Sequence, residues 1–567
     1  MLNKKIAEIF YDIADLLELE GVDFKPRAYR KAARNIESMK EDILDYYEED
    51  ELRGIEGVGK AMEEKINEII ETGGLEYLDD LKEELPEGLI DVMKVPDIGP
   101  KKAKKLYEEL DVTDLESLKD MAEADEISKI KGFGEKTQDK ILRGIDMLEK
   151  ISGRHLLNEV LPLADSLIEY LGSDAEMIEK AGSLRRLKET IGDVDILASG
   201  DTSKLMDSFS NYADVDEVLV KGETKTSVRM EGGIQADLRV VDKESFGAAL
   251  QYFTGSKEHN VELRQIAIDQ GYKLNEYGLF SKDDEKKVAG EDEESIYETL
   301  GMDWIPPELR ENRGEIEAAR NGELPQLVEF DDIKGDLQCH SDWSDGVNTI
   351  LEVGKAAQEK GYEYIAITDH SESLTVAGGL DKQEIQEREE EIRSAQEELD
   401  IKLLSGIEVD IKKDGSLDMD HETLEGLDIV LGAVHSNFRM EAEEQTKRIT
   451  DAFSTGLIDI FAHPTGRKIG EREPYKVDMR EIVKSARENS VVLEINASPQ
   501  RLDLDSLDAR EAKDKGVLIS LGTDAHGLQH LDFMKYGVGI ARRGWLEKDD
   551  VINTLSYDEL IDFLKGR

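Results

Sequence analysis

Asp193 and Asp195 stand two residues apart in the apolar, β-prone run Gly192-Asp193-Val194-Asp195-Ile196-Leu197. On a strand both side chains point to one face, where two carboxylates can grip divalent metal together and otherwise repel each other. Upstream, Ala181-Gly182-Ser183-Leu184-Arg185-Arg186 offers a small-residue turn. Its amides can meet phosphate, and Arg186 adds a guanidinium able to fork onto phosphate oxygens. Asp237 lies in a second short apolar run, Ile234-Gln235-Ala236-Asp237-Leu238, that can pair beside the first. Asp-x-Asp alone reads as an ordinary turn into a strand. Three acids with a phosphate-binding turn point instead to two Mg²⁺ or Mn²⁺ ions, a nucleoside triphosphate and two-metal nucleotidyl transfer.

A second chemistry is carried by histidines. Cys339-His340-Ser341, Thr368-Asp369-His370, Ala433-Val434-His435, Phe461-Ala462-His463 and Thr523-Asp524-Ala525-His526 each close a short apolar, β-rich run. Asp345, Glu408 and Asp524 accompany them. A lone histidine is usually structural, but five of the nine histidines fall at such ends. Amphipathic segments such as 350–360 separate the runs into βα units, which predicts ligands gathered at one end of a distorted parallel barrel. Imidazole and carboxylate suit a Zn²⁺ or Mn²⁺ cluster that activates water against a phosphoester. His155, His259, His421 and His530 are read as structural.

The elements ahead of these sites are helical. Ile6, Ile9, Phe10, Ile13, Leu16 and Leu17 recur at helical spacing. Gly54-Ile55-Glu56-Gly57-Val58-Gly59-Lys60 then leads into a helix from 61 to about 71, a helix-hairpin-helix pattern. It recurs at Val95-Pro96-Asp97-Ile98-Gly99-Pro100-Lys101 and Ile130-Lys131-Gly132-Phe133-Gly134-Glu135-Lys136. Glycine lets the hairpin backbone approach a phosphate, and the following helix offers free amides, so these are candidate sequence-independent DNA contacts.

With 567 residues, 39% of them hydrophobic, the chain has room for several domains. Acids interrupt every hydrophobic run, so no membrane segment is predicted and a cytoplasmic protein is expected. Cys339 is the only cysteine, which excludes an intrachain disulfide and a thiolate zinc cluster; it is read as buried packing. The net charge of −56 opposes DNA binding at ordinary ionic strength. At molar salt the Debye length is about 3 Å, so an acidic excess spread along the chain fits a salt-adapted protein whose short-range contacts decide binding, and equally an acidic protein with a locally basic DNA path.

The constellation resembles the nucleotidyltransferase palm of family X DNA polymerases, the group that includes DNA polymerase beta. The three hairpins and Trp304-Ile305-Pro306-Pro307-Glu308-Leu309-Arg310-Glu311 resemble its microbial branch. Gln251-Tyr252-Phe253-Thr254-Gly255 resembles the family's sugar-sensing segment, and Asn260 and Arg264 match positions that read the minor-groove edge. Lys65 matches the lysine that forms a Schiff base with an abasic sugar in lyase-competent members, with Lys25 and Tyr29 at neighbouring positions. Glu63 and Glu64 are expected to hold that amine protonated. Asp336 to Gly346 resembles the opening of a PHP (polymerase and histidinol phosphatase) domain. The PHP pattern implies metal ligands at Gln338, His340, Asp345, His370, Glu408, His435, His463, Asp524 and His526, with Gln338 replacing the usual first histidine.

The resemblance covers nearly the whole chain. It implies a multidomain α+β and α/β protein: a lyase-like helical domain with the first hairpin (1–90), further helix-hairpin-helix DNA-binding region (91–155), nucleotidyltransferase palm (156–245), thumb-like nucleotide-selecting subdomain (246–322), linker (323–333), and PHP distorted βα barrel (334–567). The implied function is gap-filling repair synthesis on gapped or nicked DNA from deoxynucleoside triphosphates, by a monomer, with 3′-5′ exonuclease activity and scope for abasic-site cleavage. The competing reading is a PHP nuclease or phosphoesterase that uses an inactive polymerase half as a DNA platform.

Overall fold

The computed structural model describes residues 2–566 except 21, 23–24, 38, 40–42, 49–50, 56, 73, 76, 79–80, 82–85, 87, 94, 96–97 and 152. Phe24, Glu56, Pro96 and Asp97 of the sequence motifs lie outside the described residues. Helices Leu2–Glu20 and Lys25–Glu37 pack on the predicted apolar stripe, with Phe10 edge-on to Tyr29 at 5.4 Å. The three hairpins share one turn: Val58, Ile98 and Phe133 donate their amides to Ile55, Val95 and Ile130 at 3.0, 3.0 and 2.9 Å. Helices Lys60–Thr72, Pro100–Leu110 and Glu135–Ile151 follow them. Gly57 and Gly132 have φ of +85° and +98°, a conformation that favours glycine.

A five-stranded sheet runs Ala175–Lys180, Asp193–Gly200, Gln235–Val240, Lys225–Met230, Val215–Lys221 in spatial order. Asp193–Gly200 and Gln235–Val240 pair parallel, the rest antiparallel. Val194, Ile196 and Ala198 join the core built with helices Leu157–Gly172 and Thr202–Ser210. Strand alternation therefore turns Asp193 and Asp195 to the opposite face. Helices Phe246–Thr254 and Lys257–Asp269 and a three-stranded antiparallel sheet over 272–289 follow, around Ala248, Leu263, Leu279 and Ile296.

Segment 323–333, expected as a linker, is bonded down. The Val328 amide donates to the Leu546 carbonyl at 3.0 Å, the Gln326 amide to Glu547 at 3.0 Å, and Val328 is fully buried. Beyond it, seven parallel strands lie in chain order: Gly335–Cys339, Tyr364–Ile367, Lys402–Asp410, Ile429–Ala433, Ile460–Phe461, Val492–Asn496 and Ile519–Gly522. The last returns to the first, with the His340 amide on the Ala525 carbonyl at 2.8 Å and the Asp524 amide on Gln338 at 3.0 Å. Among the described residues no helix is long and apolar enough to cross a membrane.

The seam is clipped at its other end by Asn553. Its Nδ2 donates to the carbonyls of Gly335 (2.9 Å) and Leu521 (2.8 Å), and its Oδ1 accepts from the Leu521 amide (2.7 Å), all buried. Truncation strands these backbone groups without water. Asn553→Ala should therefore destabilise the barrel by about 3 kcal/mol, read as a lower urea midpoint at unchanged m; an unchanged midpoint refutes the clip.

Two candidate active sites

In the palm-like sheet, parallel register sets Asp195 opposite Asp237 and Asp193 opposite Gln235. Oxygens of all three acids lie within 4.8 Å of one another. Burial above all, with Asp193 and Asp237 adding repulsion, pushes the Asp195 carboxyl up to about 7. Burial and Asp237 also raise Asp193. Burial acts the same way on Asp237, but Lys225, Ser227 and Gln235 outweigh it and hold that carboxyl low. Lys225, on the neighbouring antiparallel strand, forms an ion pair with Asp237 and was not foreseen, since it belongs to no motif. Gly182 has φ of +61°, and a Cβ there would strike the Asp195 carboxylate.

Ser183 follows on the half-buried turn, and Arg186 is buried, donating to Glu311 at 3.1 Å and to the Thr254 carbonyl. Arg186 thus spans from the turn to the backbone beside Gly255. Arg185 makes a two-pronged bond to Glu293, which also takes Arg310 and the Trp304 indole. Tyr252 stands edge-on to Phe253 at 5.1 Å, and Arg239 lies 4.4 Å over the Phe253 ring. Asn260 is buried rather than open, its amide accepting from Gln251 at 2.6 Å and donating to the Tyr252 carbonyl at 2.7 Å. Arg264 donates to the Asn260 carbonyl at 3.1 Å. His259 is structural as expected, held between Glu315 and Tyr297.

In the helical region a Cβ added at Gly59, Gly99, Gly132 or Gly134 meets open space, and Lys60, Lys101 and Lys136 are exposed, so each hairpin presents bare backbone beside a cation. Lys65 lies 4.3 Å over the Tyr77 ring. The acids expected beside it turn elsewhere, Glu63 to Arg53 at 2.6 Å and Glu64 to Lys60 at 3.8 Å.

In the barrel five histidines and three acids converge from six of the seven strands and the residues that directly follow them. Glu408 is the hub: His463 lies 2.7 Å, His435 3.1 Å, and His340 and His370 each 3.4 Å from its carboxylate. Asp524 approaches His340 at 3.1 Å, while Asp345 approaches His526 at 3.3 Å and His370 at 3.5 Å. His463 reaches the centre through Glu408. Gln338 stands at the edge, its oxygen 3.3 Å from the Asn496 amide nitrogen that also reaches Asp524. His463 and Asp524 adopt φ of +32° and +54°, backbone strain of the kind that collects at functional sites. Cys339 packs inward, buried, and His530 accepts from the His526 amide at 3.2 Å.

Burial opposes charge on His435, but Glu408 and Asp410 outweigh it and push the imidazole up to about 9. Burial lowers His370 to about 4. Glu408 and Asp524 are held well below the carboxylate range by their histidines, against burial. Buried nitrogens of His340, His370, His435 and His463, and Glu408 Oε2, make no hydrogen bond. Such atoms call for protons or cations, so this donor set fits a metal cluster. Sequence reasoning passed over Asp369 and Asp410. Asp369 takes Ser341 and Ser344, and Asp410 takes the His435 amide at 3.0 Å. Asp369 stands beside His370 in a motif already given, and Asp410 lies two residues beyond Glu408 on the same strand.

Comparison with known proteins agrees with this geometry. The chain is 38% identical to the DNA polymerase/3′-5′ exonuclease PolX of Bacillus subtilis (strain 168) over 572 residues, covering 100% of both. The chain belongs to the family X DNA polymerases. Segments of the chain match the DNA polymerase beta thumb (residues 249–311), a helix-hairpin-helix domain (1–75), a SAM-like helix-hairpin-helix tandem (89–146) and the PHP domain (336–498). DNA polymerase lambda of Arabidopsis thaliana is 26% identical over 54% of this chain and 62% of its own. A probable phosphatase of Thermoanaerobacter sp. (strain X514) is 28% identical over 39% of this chain and 89% of its own.

An unfolded aspartate titrates near ~4. Between about 4 and about 7 the folded, metal-free protein therefore keeps a proton on Asp195 that the unfolded chain releases, and stability falls as pH rises through that window. Asp195→Asn abolishes this loss. In EDTA, its Tm minus that of wild type should widen from about pH 4 to about pH 7 and then level; a constant difference counts against the clustering. Gly182→Ala should abolish nucleotide incorporation while leaving shortening of a DNA 3′ end intact in the same assay, because only the Asp195 side is struck; normal incorporation would show that Asp195 yields freely.

Proposed function

We propose that this chain is a DNA-directed DNA polymerase that fills short gaps in DNA repair and trims 3′ ends with its PHP domain. The register of Asp195 opposite Asp237, with Asp193 in reach and Gly182 beneath, carries the polymerase reading. The domain divisions given from the sequence are proposed with it.

Asp193, Asp195 and Asp237 would hold Mg²⁺ or Mn²⁺. Bound there, two ions supply Lewis acidity for attack of a primer 3′-hydroxyl on the α-phosphate, with release of pyrophosphate. Asp237, kept ionised by Lys225, is the carboxylate suited to take the hydroxyl proton. Gly182, Ser183 and Arg186 hold the triphosphate. Tyr252, Phe253 and Gly255 crowd the sugar, and Asn260, whose amide fixes the Tyr252 backbone, keeps that segment in place. Arg264 faces the duplex edge. The hairpin residues Gly57, Gly59, Lys60, Gly99, Lys101, Gly132, Gly134 and Lys136 take DNA phosphates without reading sequence. Lys65 is the proposed Schiff-base lysine for abasic sugar.

In the barrel, His340, Asp345, His370, Glu408, His435, His463, Asp524 and His526, with Gln338 at the rim, would hold Zn²⁺ or Mn²⁺. Ions there supply an activated water for hydrolysis of the 3′-terminal phosphodiester. The protein is proposed to work in the cytoplasm as a monomer, and at high salt, where its charge of −56 is screened.

On a gapped duplex with labelled primer, Mn²⁺ and roughly molar salt, wild type should extend and shorten. Asp193→Ala/Asp195→Ala should lose extension alone, and His340→Ala/His370→Ala shortening alone. Wild type that shortens but never extends would leave only a nuclease on a DNA platform.

A further inference from the structure

The barrel touches the nucleotide-binding turn of the palm through Arg543, at the end of helix Met534–Arg543. Arg543 Nη1 donates to the Arg186 carbonyl at 2.7 Å and to Glu311 Oε1 at 3.1 Å. Arg186 Nε donates to that same oxygen at 3.1 Å, and Lys188 Nζ lies 3.8 Å from the other. One carboxylate thus faces three cations, with the Arg186, Glu311 and Arg543 side chains only 11%, 10% and 5% exposed. The contact is packed around this point. A Cβ at Gly539 would sit 3.2 Å from a Leu187 methyl, so the helix lies close against the turn, and Arg467 reaches Glu189 at 2.8 Å.

We propose that Arg543 is a positioning residue of the nucleotide site: it shares Glu311 with Arg186, so that the Arg186 guanidinium can pass to an incoming triphosphate while the buried carboxylate stays paired. This rests on the reading of Arg186 as a phosphate ligand. A buried carboxylate stripped of its partner is costly, and that cost would be charged against nucleotide binding. Arg543 and Lys188 remain with Glu311 and remove most of it. The bond from Arg543 to the Arg186 carbonyl also fixes the backbone from which the guanidinium turns. The PHP barrel therefore sets nucleotide affinity by a route that does not use its metal cluster.

The test uses the full chain in single-nucleotide gap filling, with 3′-end shortening as the folding control. Arg543→Met should raise KM for the deoxynucleoside triphosphate about tenfold with kcat held and shortening unchanged, because Glu311 then competes for Arg186. Arg543→Lys, which keeps the charge, should raise it less. Adding Glu311→Gln to Arg543→Met removes the competitor and should bring KM back toward wild type. A merely structural bracket predicts the reverse, with the double variant at least as impaired as Arg543→Met, and that result overturns the proposal, as does unchanged KM in Arg543→Met. Arg186→Ala separates the two readings. If it leaves KM unaltered, the phosphate role of Arg186 is what fails; if it raises KM while Arg543→Met does not, the sharing of Glu311 fails.

Discussion

Acids that repel one another are held together at both centres, and the rest of the molecule is arranged around that constraint. In the palm-like sheet the restraint is backbone register: parallel pairing of Asp193–Gly200 with Gln235–Val240 leaves Asp195 and Asp237 no means of parting. In the barrel it is topology, since strands 335–339, 402–410 and 519–522 bring His340, Glu408 and Asp524, at or just beside their ends, to a common point. The two sites relieve the repulsion differently without metal. Asp195 keeps a proton toward neutrality, whereas Glu408 and Asp524 stay ionised against charged imidazoles such as His435. Divalent cations can replace either form of relief.

Much of this was legible in sequence because it rests on spacing. Asp-x-Asp on a strand fixes a shared face, and repeated strand ends bearing histidine imply a barrel rim. The hairpin glycines likewise announced three matching turns, which the amide bonds of Val58, Ile98 and Phe133 reproduce. Contacts between distant parts of the chain were not legible. Lys225 against Asp237, Asn553 across the barrel seam and Arg543 on the Arg186 carbonyl join residues with no common motif or period. Local reading also misjudged side chains that have a choice of partner. Glu63 and Glu64 flank Lys65 in sequence, but a helix turns them toward Arg53 and Lys60. Asn260 sits at a position expected to face DNA, and its amide is bonded inward instead.

Charge operates at two scales. Over the whole chain the acidic excess dominates, whereas the turn after Ala181 gathers Arg185, Arg186, Lys188 and Arg543 around Glu293 and Glu311, whose side chains are 5% and 10% exposed. Screening by salt weakens the first and barely touches the second, because ions cannot enter the packed contact. Local recognition of an anion can therefore persist where the global field is repulsive.

The segment between polymerase and PHP halves is anchored at Val328 and Gln326, so no slack tether separates the two centres. A flexible leash would let one domain swing to the other's product, with its length setting an effective concentration. Here that adjustable quantity does not exist. A DNA end passing from trimming to synthesis would then have to travel by movement of the nucleic acid itself, not by the swing of a tethered domain.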